Sequence, residues 1–149
     1  MQKIIYLTSE VKGSKEEAFD YFLNAKYAPE AIIETKVGGK YETYWNPPER
    51  EDNSTIGCKI TALEKNKLLA FEWKGPVNFK EFMNTCDPLT HVTFFFSEVK
   101  KESEKFTKVN LLHTGWGPTE EWEEARIYFE EAWKNVLIAF EKHMLKSDS

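Results

Sequence analysis

Apolar residues recur at steps of three and four through the last fifth of this chain, and at steps of two through much of the middle. Trp122, Ala125, Phe129, Trp133, Val136, Phe140 and Met144 fall on one stripe of a 3.6-residue helix. The spacing predicts a helix that begins near Thr119 and runs about 28 residues, or about 42 Å at the α-helical rise. Its ends suit the helix dipole, with Glu120, Glu121, Glu123 and Glu124 at the start and Lys142, His143 and Lys146 at the finish. Glu130 and Lys134 add a favourable i,i+4 pair. Such a stripe needs a wide apolar surface to lie against.

Alternation upstream supplies one. Residues 3–11 read as a first strand, and Ser14 then stands three residues before Glu17, the spacing of a capping box. Ala18, Phe19, Phe22 and Leu23 make the apolar side of a short helix ending near Asn24. A second short helical piece is expected at 29–33, because Pro29 suits a first helical turn. Strands follow at 34–37 and 40–45 around a Gly38-Gly39 turn, then a Pro-rich, charged loop at 46–55. Strands at 56–64 and 68–74 flank a turn at 65–67, and strands at 91–100 and 106–114 flank a charged turn at 101–105. Between the two pairs, residues 75–89 form a long connection whose Phe79, Phe82 and Met83 should pack it down as a flap. A Gly115-Trp116-Gly117-Pro118 turn leads into the last helix. The order is α+β: an antiparallel sheet of about six to seven strands, two short helices after the first strand, and a long C-terminal helix.

In a sheet covered on one face, inward residues share a parity. The apolar parity gives Tyr41, Thr43, Trp45; Leu69, Phe71, Trp73; Val92, Phe94, Phe96; and Val109, Leu111, His113. Glu42, Tyr44, Ala70, Glu72, Lys74, Lys108 and Asn110 fall on the solvent side. Phe95 and Leu112 break the pattern there and mark a covered outer patch or a contact between two copies.

Composition narrows the function classes. A chain of 149 residues is sized for one domain spanning 1–149, and 15% aromatic residues is a high share. A net charge of −5 argues against nucleic acid and against an anionic membrane surface. No apolar run approaches the ~20 residues of a membrane span, and no signal-peptide core is present, so a cytoplasmic setting is expected. Cys58 and Cys86 show no CxxC spacing and read as free thiols. Cys86, His91 and His113 match no zinc pattern, so no metal and no cofactor are expected.

A curved sheet wrapped on a long helix leaves a gap that is either a pocket or filled by rings. Its candidate walls are Tyr41, Thr43, Trp45, Phe71, Trp73, Phe94, Phe96, Leu111 and His113 from the strands, with Phe129, Trp133 and Val136 from the helix.

Several of these segments carry a family resemblance. They are Gly38-Gly39-Lys40-Tyr41, the run 68–73, Thr90-His91-Val92-Thr93-Phe94, the run 111–116, Trp122, and Trp133-Lys134-Asn135-Val136-Leu137. With them the chain resembles the activator of Hsp90 ATPase homologue 1-like family (C-terminal-domain type), within the START-like or Bet v 1-like superfamily. The resemblance implies a helix-grip fold with an internal cavity, while ligands and roles vary across such folds. Three functions follow. The leading one is a small soluble protein that holds an apolar or aromatic molecule between sheet and helix, as a monomer or homodimer. The second is a chaperone-associated, stress-response module docking through the acidic helix face at Glu123 and Glu124 and the outer patch at Phe95 and Leu112. The third is a cyclase- or hydrolase-like enzyme with His113 as general acid or base and Tyr41 or Thr43 orienting substrate; the balance leans away from an enzyme.

Overall fold

The computed structural model describes residues 3–45 and 51–147, with the side chain of Ser147 outside that description. In chain order the elements are β1 (Ile5–Lys12), α1 (Lys15–Leu23), β2 (Glu30–Ile33), β3 (Tyr41–Tyr44), β4 (Ile60–Glu64), β5 (Leu68–Trp73), α2 (Lys80–Met83), β6 (Thr90–Lys101), β7 (Glu104–Thr114) and α3 (Glu120–Ser147). Five strands form one antiparallel sheet in the order β1-β7-β6-β5-β4, and β2 pairs with β3 in a second. A bridge between Lys40 and Lys59 and the bond from Tyr41 N–H to Cys58 O carry the ladder from β4 toward β3. The seven strands therefore follow one another as a bent surface rather than as two stacked layers.

Local chemistry explains most boundaries. Ser14 Oγ accepts the Glu17 N–H at 3.2 Å and caps α1. Thr119 Oγ1 accepts the Trp122 N–H and its carbonyl accepts the Glu123 N–H, which starts α3 where the sequence places it. The β6–β7 hairpin turns on Glu102 and Ser103, both at positive φ, and the β4–β5 turn uses Asn66 at φ 64°.

The covered face of the sheet holds α1 and α3. Phe22 of α1 stacks on Phe94 at 4.3 Å and touches Phe140 of α3 at 4.8 Å. Ala125, Phe129, Trp133, Phe140 and Met144 are buried along the helix stripe, and Leu137 joins them. Burying a ring such as Phe140 contributes about 2–3 kcal/mol. The inward parity stands as read: every strand residue assigned inward is buried except Trp45, which is half-buried.

Three expectations change. Residues 30–33 form strand β2, not a helix, because Ile32 and Ile33 pair across from Glu42 and Tyr41. Residues 34–37 belong to the loop joining β2 to β3, where a Cβ on Gly39 would lie 2.4 Å from Glu34 O. Residues 56–59 bend ahead of β4, with Gly57 at φ +88°.

Glu42, Tyr44 and Ala70 are also buried rather than solvated: residues 53–57 fold back alongside β3, and the small Ala70 side chain lies between its cross-strand neighbours Ala62 and Thr93. Tyr44 Oη donates to one Glu42 oxygen at 2.9 Å, and Gly57 N–H donates to the other at 2.8 Å. The predicted loop at 46–55 falls partly on 46–50, outside the described residues. No helix among the described residues is long and apolar enough to cross a membrane.

Candidate functional site

Sheet and helix leave a half-open pocket of about 290 Å³. Trp45 lies just past β3 and Trp73 ends β5, so both indoles sit where the sheet departs from the helix. Tyr128, Phe129, Ala132, Trp133 and Val136 present two successive turns of α3. Tyr27, Ala28 and Pro29 enter from the connection after α1, and Pro76 from the flap.

The flap is built rather than loose. Asn84 Nδ2 donates to Gly75 O while its Oδ1 accepts the Gly75 N–H, so one side chain ties the start of the flap to the end of α2. Asn53 Oδ1 accepts the Val77 N–H, and Phe82 and Phe79 pack edge-on against Trp122 and Tyr128 of α3. Met83 is fully buried beneath.

The pocket carries no charged wall. Three indoles, two phenols and Phe129 line it with alanine, proline and valine. Tyr27 Oη donates to Tyr41 Oη at 2.9 Å, and Tyr41 Oη donates to Phe22 O. Burial holds both phenols well above the usual tyrosine pKa, so they stay neutral.

His113 sits behind this wall, fully buried between sheet and helix. Trp133 Nε1–H donates to His113 Nδ1 at 3.0 Å, which places the ring proton on Nε2. Nε2–H then donates to Thr90 Oγ1 at 3.0 Å, and Thr90 donates onward to Trp73 O at 3.3 Å. Trp116 Nε1–H donates to the His113 carbonyl at 2.9 Å. Burial, with a smaller contribution from His91, pushes the His113 pKa well below its usual value. The imidazole is neutral with both nitrogens committed, and the network pins Trp133 as a wall.

Of the residues named from sequence, Trp45, Trp73, Phe129, Trp133 and Val136 are walls of the pocket. Tyr41, Thr43, Phe71, Phe94, Phe96, Leu111 and His113 are buried in the core behind it. Tyr41 stacks on Phe71 at 3.8 Å, filling space that parity alone leaves open. Sequence reasoning missed Tyr27, Ala28, Pro29, Pro76, Tyr128 and Ala132 as walls. Tyr128 and Ala132 were within reach, since they flank the apolar stripe two turns and one turn before Val136.

No group of three His, Cys, Asp or Glu among the described residues could hold a metal. His91 faces outward and His113 inward, which separates two members of the candidate Cys86, His91, His113 set. Cys58 and Cys86 are free thiols, and burial raises the pKa of each, which keeps them protonated.

Solved structures repeat this architecture. A Mesorhizobium loti protein matches with a TM-score of 0.70 at 14% identity over 99% of both chains. An Aha1 dimer from Colwellia psychrerythraea matches at 0.67 with 18% identity, over 95% of this chain and 96% of that one. A Plasmodium falciparum protein described as an HSP90 activator matches at 0.58 with 22% identity, over 80% of this chain and 77% of that one. These likenesses show the shared START-like, Bet v 1-like fold. No curated protein matches the chain by sequence. The model of the activator of Hsp90 ATPase homolog 1-like family matches residues 14–144, and the chain belongs to that family.

Proposed function

We propose that this protein binds a small apolar or aromatic molecule between its sheet and α3, in the cytoplasm. The observation that carries this reading is the pocket of about 290 Å³ with six aromatic walls and no charge. Apolar concave sites with a few polar groups are the usual form of a small-molecule site. The flap, clipped by Asn84, carries Pro76 at the pocket edge and is the element whose opening would admit a ligand.

The test is calorimetric titration with 2-naphthol. Binding is expected in the native protein, with an affinity loss of about tenfold or more in Ala132→Trp, whose indole would occupy the pocket. No binding to the native protein, or equal binding by the filled variant, would sink the reading.

Family membership and the relative described as an HSP90 activator support a second reading, association with a chaperone. Glu120, Glu121 and Glu124 are exposed at the start of α3, whereas Glu123 is engaged by Lys3 and Arg126. A pull-down with purified Hsp90 is expected to retain the native protein and to lose a Glu120→Lys, Glu121→Lys, Glu124→Lys variant. Failure to retain the native protein removes this reading.

A further inference from the structure

One atom narrows the chemistry of what the pocket takes. Trp73 is a pocket wall and is only 3% exposed. Its Nε1 is the one buried side-chain polar atom among the described residues without a hydrogen-bond partner. The nearby indoles of Trp116 and Trp133 spend their N–H groups on His113. Buried donors in folded proteins are nearly always paired. An unpaired donor on a residue that walls a ligand-sized pocket therefore points to an acceptor from outside the chain.

The remaining walls decide what kind of acceptor-bearing molecule fits. They offer rings and no carboxylate or cation, so a charged occupant would be desolvated without a partner. A cage of rings can also take a quaternary ammonium, but the Trp73 N–H presents its positive end and disfavours one. The volume lies at the small end of the ~300–1,000 Å³ typical of ligand sites, which suits one or two rings.

Access is also legible. Trp45, Phe71, His113, Phe129 and Trp133 surround Trp73 at ring distances of 5.0–6.4 Å. All are buried except Trp45, which is half-buried, so its ring is the neighbour with room to swing.

Building on the pocket reading above, we propose that the occupant is a flat, uncharged one- or two-ring molecule bearing a carbonyl oxygen. That oxygen accepts a hydrogen bond from Trp73 Nε1 when the Trp45 ring swings aside.

Coumarin, naphthalene and phenyltrimethylammonium are three probes that separate the alternatives. Coumarin is expected to bind about tenfold tighter than naphthalene, about the worth of one recovered hydrogen bond. Trp73→Phe keeps an aromatic ring and should erase that preference while retaining naphthalene. The wild-type indole N–H spectrum gives a reading independent of how the variant folds: the Trp73 signal should move downfield with coumarin and not with naphthalene. Equal binding of coumarin and naphthalene, or an unmoved Trp73 signal with coumarin bound, overturns the acceptor assignment and leaves the pocket reading intact. Tighter binding of phenyltrimethylammonium overturns it in favour of a cation cage. Failure of all three probes removes the pocket reading itself and this inference with it.

Discussion

His113 shows how a residue that looks catalytic in sequence becomes architecture in the fold. An imidazole at the inner end of a strand suggests acid-base chemistry, yet here it accepts from Trp133 and donates to Thr90. Its low folded pKa has a thermodynamic consequence whose sign is fixed. The unfolded chain takes up a proton as pH falls through the ordinary value of 6.5, and the folded chain does so only well below it. Stability from this group is therefore complete above about pH 6.5 and declines as pH falls below that, by at most about 1.4 kcal/mol per pH unit. His91, also lowered by burial, adds to the native slope with the same sign. A His113→Gln variant keeps an acceptor and a donor, so it should fold at pH 7.5 with a loss of about 1–3 kcal/mol. Denaturant titrations at pH 7.5, 6.5 and 5.5 should show the variant with the shallower decline. Parallel declines would mean that His113 is not held neutral.

At the scale of elements, legibility followed how local the controlling interaction is. The α3 helix was readable because its stripe and acidic start lie within its own 28 residues and its cap, Thr119, immediately precedes them. Parity along β5, β6 and β7 was readable for the same reason, since each strand carries its own alternation. The β2 strand was not, because Pro29 fits a helix start equally well and only pairing with β3 decides the matter. Glu42 and Tyr44 look solvated by alternation and are buried by a loop whose path no nearby residue specifies. The pocket was half legible. Its strand and helix walls follow from parity and period, whereas Tyr27, Ala28, Pro29 and Pro76 arrive on connections whose placement depends on the assembled fold. Parity also cannot say which inward rings line space and which fill it. Tyr41 and Phe71 fill it by stacking on each other.

Across the whole molecule the sheet has two unlike faces, and a single strand shows the difference. Phe94 and Phe95 are neighbours on β6 with opposite orientations. Phe94 is fully buried against Phe22, Phe71, Phe96 and Trp133, so it touches both helices and the neighbouring strand. Phe95 is 44% exposed on the face that neither α1 nor α3 covers, opposite Asn110 and Leu68. Truncating a ring in a packed core costs about 3–5 kcal/mol, through lost transfer energy and the cavity left behind. Truncating a half-exposed ring on an uncovered sheet face costs about 1 kcal/mol or less. Phe94→Ala and Phe95→Ala, compared by urea denaturation at matched protein concentration, should differ by those amounts. A Phe95→Ala loss as large as that of Phe94→Ala, shrinking on dilution, would show that a second copy covers the outer face in solution. A small loss independent of concentration would place the stabilising contacts of this sheet on its helix side.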